Sequence, residues 1–310
     1  MSARTVTIGT RGSRLATRQT EIALEALSAA HPGSAFDTRK ISTSGDRSQQ
    51  SLAEIGGRGV FVIEIERALL DGEIDLAIHS LKDLPSAETD GLTVAAVLPR
   101  NDPRDALVSR DGSSLAGLPS GAAVGTGSPR RAAQLTALRS DIEVRDIRGN
   151  VDTRIRKAEE GEYDAVVLAA AGLERLGWLE RASQIFEPEE MLPAVAQGAL
   201  AVQVRSDDRE ALDLVSAMDD RETRVAVTAE RGFERRLGGG CHAAIAAYAT
   251  VGYGPSPDRA PLRLRGLVGG ERRLLRGEME GFAGEADGLG VRLAEYLIAQ
   301  GADALLEANA

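Results

Sequence analysis

The chain has 310 residues, a formal net charge of -10, one cysteine and three histidines. One cysteine excludes an intrachain disulfide and a cysteine-based zinc site, and three scattered histidines argue against a histidine metal centre, so we predict no metal. The acidic total and the 3% aromatic content argue against nucleic-acid binding. The hydrophobic fraction of 43% is typical of a folded protein, and the length predicts two or three domains.

Compartment signals are few. The first residues carry no apolar run of the kind found in secretory signals, and no stretch approaches the roughly 18 apolar residues of a membrane span. A lone cysteine fits a reducing compartment. These features predict a cytoplasmic protein that does not enter a membrane.

The cations are unusual, because 34 are arginines and only three are lysines. One explanation is compositional, since GC-rich coding favours Arg, Ala and Gly over Lys. Arginine also offers a planar fork that binds carboxylates and phosphates through two hydrogen bonds. The second explanation matters only where arginines gather at turns that a ligand can reach.

Short apolar runs alternate with amphipathic helical patterns over the first 200 residues. The predicted strands are 6–10, 75–80, 93–98, 123–126, 142–147 and 165–170, and the predicted helices cover 15–30, about 61–70, from 129 onward, and 152–160. Such alternation predicts α/β sheets rich in parallel strands.

Joints near residues 99–104 and 192–199 suggest that one domain is inserted into another. We predict a first α/β domain from residues 1–98 with 199–217, and a second from 103–192. The remaining segment, 221–310, has a helical pattern, two hairpin-like strands (262–268 and 273–280) and a final helix over 288–300. It is predicted to form a small C-terminal α+β domain.

Two glycine turns follow predicted strands. In the first, Thr126 and Ser128 precede a helix that begins at Pro129, and Arg130 and Arg131 stand in its first turn. The free amides and dipole of such a helix end attract anions. The sequence lacks the Gly-Lys-Ser/Thr of a nucleotide P-loop. An ordinary capped helix with solvated arginines is the alternative.

The second glycine turn, Asp146–Arg154, contains Arg148 and Arg154. Basic residues at successive strand ends predict a polyanionic ligand in the crevice at the carboxyl edge of the sheet. A charged helix surface would also explain some of these arginines.

A third candidate follows the strand at 75–80. Lys82 is one of the three lysines, and Asp83 lies at the carboxyl end of a strand, where α/β sites are built. A surface ion pair is the alternative for these two residues. His79 is interpreted as a packed strand residue rather than a base.

The lone cysteine, Cys241, follows three glycines, Gly238–Gly240, and precedes His242. The glycines allow backbone conformations closed to other residues. The loop context favours an accessible, reactive thiol, whereas an inert buried thiol is the alternative.

Eight motifs in this order resemble the porphobilinogen deaminase family, also called hydroxymethylbilane synthase. The resemblance covers nearly the whole chain, from about residue 4 to 300. The motifs lie at residues 9–13, 56–61, 79–85, 102–106, 125–128, 148–150, 192–198 and 239–241.

The resemblance implies two α/β domains similar to periplasmic binding proteins, with the active cleft between them, and a small C-terminal α+β domain. It implies a cytoplasmic, monomeric transferase of haem biosynthesis. Such an enzyme joins four porphobilinogen molecules, releases four ammonia molecules and yields hydroxymethylbilane. A dipyrromethane cofactor made from porphobilinogen is tied to a cysteine, here Cys241.

The resemblance also assigns roles to individual residues. Asp83 matches the catalytic aspartate, which would stabilise the cation left when a pyrrole expels ammonia. Cofactor-binding residues would be Cys241, Ser80, Lys82, Asp83, Thr126, Ser128, Arg130, Arg131 and Arg148. Substrate-binding residues would be Arg11, Phe61, Arg148, Arg154, Arg175 and Gln197.

Some positions depart from the family pattern. Gly238 stands where glutamate is usual, His242 where glutamine or serine is commoner, and Ala244 where proline is usual. These departures put the geometry of the cysteine loop in doubt more than the activity. The rival hypothesis is a non-catalytic anion- or pyrrole-binding protein of the same fold, which would need neither Cys241 nor Asp83.

Overall fold

A computed structural model describes residues 5–43, 62–238, 244–270 and 273–307. The strands are β1 (Thr5–Arg11), β2 (Ala35–Ile41), β3 (Leu76–Ser80), β4 (Leu92–Val97), β5 (Asp105–Ser109), β6 (Ala123–Gly125), β7 (Glu143–Arg145), β8 (Ala165–Ala169), β9 (Gln184–Ile185), β10 (Leu200–Arg205), β11 (Ala244–Val251), β12 (Pro261–Gly269) and β13 (Leu274–Phe282). The helices are α1 (Arg14–Ala30), α2 (Ile63–Leu70), α3 (Pro129–Leu138), α4 (Val151–Glu159), α5 (Ala170–Leu176), α6 (Arg209–Ser216), α7 (Arg221–Leu237), α8 (Ala286–Ile298) and α9 (Ala302–Glu307). Within the described ranges, none of the helices has the length and apolar character that a membrane crossing needs.

The chain divides into two compact units. The first contains residues 1–100 and 199–224, and the second contains 101–198 and 225–310. The chain therefore leaves the first unit after Arg100 and returns to it at Ala199. The three domain boundaries expected from the sequence stay a prediction.

The first unit is built on a five-stranded sheet in the order β2-β1-β3-β10-β4. Strands β1, β2 and β3 are parallel, whereas β10 runs antiparallel to both of its neighbours. Fully buried side chains such as Ile8, Leu76 and Val202 form its core. The fourth strand of this sheet is thus supplied by the returning segment of the chain.

The second unit contains a sheet with the same arrangement, in the order β7-β6-β8-β5-β9. Strands β6, β7 and β8 are parallel, and β5 runs antiparallel to β8 and β9. Here the antiparallel fourth strand comes from the segment that enters the unit. The fold class is therefore α/β, with two sheets of one architecture, as the alternating sequence pattern predicted.

A separate antiparallel sheet, β11-β12-β13, forms the C-terminal part of the second unit. Helices α7 and α8 cover one of its faces. Gly266 and Gly277 are opposite each other in the sheet. A methyl group on Gly266 would lie 2.6 Å from the ring of Phe233, and one on Gly277 would lie 3.0 Å from Leu293. The two glycines therefore let the helices approach the strands closely.

Five strands were missing from the sequence prediction: β2, β5, β9, β10 and β11. Strand β2 is an edge strand with mostly exposed residues, so it has no apolar run. Strand β11 is rich in alanine, which has low strand propensity. The strand predicted over 142–147 is confirmed only for Glu143–Arg145.

The crossing of α7 and α8 generates a stability prediction. A methyl group on Gly290 would lie 2.2 Å from the Ala229 carbonyl oxygen. We expect Gly290→Ala to lower the free energy of unfolding by about 1 to 2 kcal/mol, because overpacking outweighs the gain in helix propensity. Gly288→Ala is the matched control, since its methyl group would meet only the flexible end of Arg292 at 3.4 Å. Equal stability of the two variants in chemical denaturation would contradict this close crossing.

Candidate active site

Parallel pairing gathers the first group of candidate residues. Strands β1 and β3 are paired through Gly9 and Ala77, so their carboxyl ends meet at one edge of the sheet. Arg11 is the last residue of β1, and Ser80 is the last residue of β3. A single 3-10 turn, Leu81–Asp83, follows at once. The predicted cluster of Arg11, Ser80 and this turn therefore shares one sheet edge.

Hydrogen bonds fix this edge. The Gln19 side-chain amide donates to the Ser80 hydroxyl oxygen at 2.8 Å. The backbone N–H of Leu81 donates to the Ala199 carbonyl at 3.0 Å, which ties the turn to the returning segment. Lys82 and Asp83 are only partly buried. A carboxylate and an ammonium that solvent can reach thus stand on a backbone that is held in place.

His79 precedes this cluster inside β3 and is buried. Burial lowers the pKa of His79 to about 4, and the nearby charge of Arg11 acts in the same direction. The imidazole is therefore neutral near pH 7. This agrees with the interpretation of His79 as a packed strand residue.

The second group begins at the turn between β6 and α3. Ser128 caps α3 by accepting from the Arg131 backbone N–H at 3.4 Å, and Pro129 is the first helical residue, as predicted. The backbone N–H of Ser128 donates to the Thr126 hydroxyl at 3.2 Å. Both hydroxyl oxygens thus take part in shaping the turn.

Arg130 and Arg131 point into the protein rather than into solvent. Both contact the carboxylate of Asp105, which is 0% exposed. A terminal nitrogen of Arg130 lies 2.7 Å from Asp105 Oδ2, and Arg131 donates from two nitrogens to Oδ1 at 3.0 and 2.7 Å. The two guanidinium groups also donate to the carbonyls of Leu192 and Val167.

Electrostatics favours an ionised Asp105. Burial alone would raise its pKa, but the charges of Arg130 and Arg131 outweigh burial and hold the pKa far below its usual range. Two cations and one anion leave this buried cluster with a charge of +1. The turn at Thr126–Ser128 therefore lies next to a buried cluster with net positive charge, which favours an anionic ligand.

The turn that contains Arg148 lies beside the Thr126–Ser128 turn, because β6 and β7 are parallel neighbours. A methyl group on Gly127 would lie 2.9 Å from Asp146 Oδ1, so the two turns are in close contact. Gly149 has a φ of 111°, which favours glycine. Arg148 pairs with Asp146 at 3.1 Å, and Arg154 donates to the Gly149 carbonyl at 2.8 Å.

Arg175 occupies a different place, at the end of α5. Its guanidinium donates to the Asn101 side-chain oxygen at 2.9 Å and to the Gly198 carbonyl at 2.6 Å. Burial lowers the pKa of Arg175 to about 10, where it is still a cation at neutral pH. It therefore holds together the two segments through which the chain enters and leaves the second unit.

Gln197 is also buried rather than open to solvent. Its amide donates to the Pro103 carbonyl at 2.7 Å and to Asp105 Oδ1 at 3.0 Å. Phe61 and Cys241, the remaining predicted site residues, lie outside the described residues.

Sequence reasoning missed the roles of two buried carboxylates. Asp105 stood inside a recognised motif, and the two arginines of the helix start needed an anion, so a signal was present. Glu230 accepts from the backbone N–H of Ala196 at 2.7 Å and of Ala249 at 2.8 Å. It supports Ala196, whose φ of 57° is positive. Its place in a highly charged helix gave no signal of burial.

Comparisons with known proteins confirm the family that the eight sequence motifs indicated. Residues 6–213 match the family model described as porphobilinogen deaminase, dipyrromethane cofactor binding domain. Residues 224–299 match the model of the C-terminal domain of the same family.

Relatives match nearly end to end. A porphobilinogen deaminase of Roseiflexus sp. (strain RS-1) is 50% identical over 304 residues, covering 97% of this chain and 98% of the relative. One of Brevibacillus brevis is 46% identical over 302 residues, with 96% of each chain covered. Among solved structures, an arginine-specific periplasmic binding protein of Salmonella typhimurium is 15% identical, with a TM-score of 0.42 over 72% of this chain and 94% of its own.

The Asp105 cluster generates a second stability prediction. Asp105→Asn keeps the side-chain shape but leaves two buried guanidinium groups without their anion. We expect the free energy of unfolding to fall by about 3 to 5 kcal/mol, as for other broken buried pairs. Asp141→Asn is the control, because its exposed ion pair with Arg139 should contribute little to stability. Similar small losses in the two variants would contradict the buried cluster.

His79 generates a prediction about pH. The unfolded chain binds a proton at His79 below about pH 6.5, but the folded protein resists it until about pH 4. His79 therefore destabilises the folded state increasingly as the pH falls through this window, by up to about 1.4 kcal/mol per pH unit. Between pH 6.5 and 4.5, the melting temperature of His79→Gln should fall less than that of the wild type. Parallel pH profiles would refute the assignment.

Proposed function

Because the chain belongs to the porphobilinogen deaminase family, we propose that the two strand-end clusters and Cys241 carry out its reaction. In that reaction porphobilinogen units are joined into hydroxymethylbilane on a dipyrromethane cofactor. The observation that supports this assignment most directly is that each unit carries such a cluster at its strand ends: a partly exposed Asp83 in the first unit, and hydrogen-bonded basic turns in the second. A carboxylate for the reacting ring and cations for its side chains are the two functions that the reaction needs.

The cofactor is a pair of pyrroles that carry acetate and propionate groups, so its binding site must offer cations and hydroxyl donors. The described residues fit this requirement. Thr126, Ser128 and Arg148 lie on adjacent turns, and the cluster beneath them has a charge of +1. When bound, the cofactor supplies a nucleophilic pyrrole carbon to which substrate is joined. We assign its attachment to the thiol of Cys241.

The cofactor-binding residues act in two ways. Five residues are assigned to direct contact with the cofactor carboxylates: Ser80, Lys82, Thr126, Ser128 and Arg148. Arg130 and Arg131 act through their positive charge rather than through direct hydrogen bonds to the cofactor. Most of their N–H groups already donate to Asp105 and to backbone carbonyls. Their fixed charge would stabilise an anion without the entropic cost of ordering a flexible side chain.

Asp83 is assigned the catalytic role. Each addition breaks the bond between the aminomethyl carbon and its nitrogen, and it forms a carbon–carbon bond in its place. One proton would be lost from the nucleophilic ring carbon at which the new bond forms, and ammonia would leave with one proton more than the amino group held. The carboxylate of Asp83 would accept a hydrogen bond from a pyrrole N–H and balance the positive charge that develops on the ring. It would also transfer these protons as a general acid and base.

Substrate carboxylates require further cations. Arg11 and Arg154, together with Arg148, are assigned to them, since Arg11 and Arg148 are partly open to solvent and Arg154 lies on the turn of Arg148. Phe61 completes the set as a hydrophobic contact. Arg175 and Gln197 are buried, so their part in substrate binding is to hold the backbone of the 197–198 segment. A monomeric state, a cytoplasmic location and a lack of nucleic-acid or membrane partners stay predictions.

The test replaces Asp83 with asparagine, which keeps size and polarity but cannot hold a proton or a negative charge. We expect kcat to fall at least about 100-fold, in the range of a lost acid–base group. Bound dipyrromethane, measured with p-dimethylaminobenzaldehyde, should remain. Asp90→Asn, at an exposed position in the same unit, is the control and should retain full activity. Full activity of Asp83→Asn would mean that the carboxylate role belongs elsewhere.

A further inference from the structure

A pocket of ≈ 420 Å³ lies on the outer face of the β11-β12-β13 sheet, within the second unit. Alternation along the strands explains its lining. Gly266 and Gly277 point toward α7 and α8, so their neighbours Arg265 and Arg276 point away from these helices. Both arginines line the pocket together with Glu189.

Arg265 and Arg276 hold the same turn of the chain. Arg265 forms an ion pair with the side chain of Glu189. Arg276 donates to the backbone carbonyl of Glu189 at 2.9 Å and to that of Glu190 at 3.4 Å. The guanidinium of Arg265 also lies 5.5 Å from the centre of the Tyr248 ring, which orients it. We call these three residues, Glu189, Arg265 and Arg276, the turn clamp.

The contacts of Arg276 show that the clamp does more than neutralise charge. In the ranges that the structure covers, its hydrogen bonds go to backbone carbonyls and none goes to a carboxylate. Partial burial lowers the pKa of this guanidinium, so its position costs solvation. In return for this loss of solvation, the hydrogen bonds of Arg276 fix the backbone at Glu189 and Glu190.

The clamped turn leads directly to the Asp105 cluster. Two residues after Glu190, the carbonyl of Leu192 accepts from Arg130 at 2.8 Å and from Gln134 at 3.1 Å. The Leu192 N–H donates back to Gln134 at 2.8 Å. The Leu192 side chain packs on Leu267 of the sheet. A continuous path of contacts thus joins the C-terminal sheet to Arg130.

We propose that Glu189, Arg265 and Arg276 are positioning residues that fix Arg130 relative to the C-terminal sheet. In the sequence, Cys241 stands three residues before the first residue of β11. The clamp therefore sets the position of β11, which follows the proposed attachment residue in the sequence, relative to the cations assigned to the cofactor carboxylates. This inference rests on the proposed function.

The clamp predicts a specific kinetic signature. Loosening it misplaces the cofactor's reacting carbon but leaves Arg11 and Arg154, assigned to incoming substrate, unchanged. Small displacements of a reacting group lower the rate steeply. For Glu189→Gln, Arg265→Gln and Arg276→Gln we therefore expect kcat per bound cofactor to fall about tenfold, with KM within about twofold of the wild type. Glu189 is 69% exposed, so its variant should fold.

The controls distinguish positioning from general destabilisation. Arg263→Gln alters the same sheet face and breaks the ion pair with Glu278 on the neighbouring strand. It also removes a longer-range attraction to Glu189 and Glu280, but it leaves the ion pair and the hydrogen bonds of the clamp in place, so its kcat should be unchanged. The conservative variant Arg265→Lys keeps a cation beside Glu189 and the Tyr248 ring, so its kcat should stay within about twofold of the wild type. Unchanged kcat in the single glutamine variants, an equal loss in Arg263→Gln, or an equal loss in Arg265→Lys would overturn the proposal.

Hydrogen exchange separates the clamp from the proposed function. In the three single variants, amides of residues 187–192 and 130–134 should exchange faster than in the wild type, whether or not product forms. A wild-type chain without turnover would refute the proposed function and leave this readout intact. Unaltered exchange at both segments would refute the clamp alone.

Discussion

A single buried carboxylate organises the second unit. Asp105 begins β5 and binds two arginines of α3 and the amide of Gln197 in the returning segment. A buried charge of this kind is tolerated only when it is paired and fully hydrogen-bonded. Four parts of the chain, β5, α3, β8 and residues 192–197, must therefore come together around one group. The turns assigned to cofactor binding lie directly on that arrangement.

The shared sheet order explains why the candidate residues cluster. In each five-stranded α/β sheet four strands run in one direction, and one antiparallel strand from a connecting segment lies in the fourth position. Three of the parallel strands are adjacent and present their carboxyl ends at one edge. Arg11 with Asp83, and Thr126 with Arg148, occupy equivalent edges in the two units. A chain that is acidic overall can thus place arginines together at the strand ends.

Much of this could be predicted from sequence, because the relevant signals are local. The Ser128–Pro129 helix start and the buried run of β3 each depend on neighbouring residues, and both are confirmed. The orientation of Arg130 and Arg131 was missed although Asp105 lay in a recognised motif, because no local pattern links these arginines to a carboxylate 25 residues earlier. Glu230 resembled a surface residue because its partners, Ala196 and Ala249, are distant in sequence. Local sequence patterns do not predict which buried charges pair with residues far away in the sequence.

Attachment of the cofactor to Cys241 is the central claim, and intact mass tests it most directly. The wild-type chain and Cys241→Ser would be purified from cells that make porphobilinogen. The account predicts a wild-type mass above the sequence mass by one dipyrromethane, and a Cys241→Ser mass equal to its sequence. A wild-type chain at bare sequence mass that does not change on adding porphobilinogen would contradict the account, as would the same added mass on Cys241→Ser.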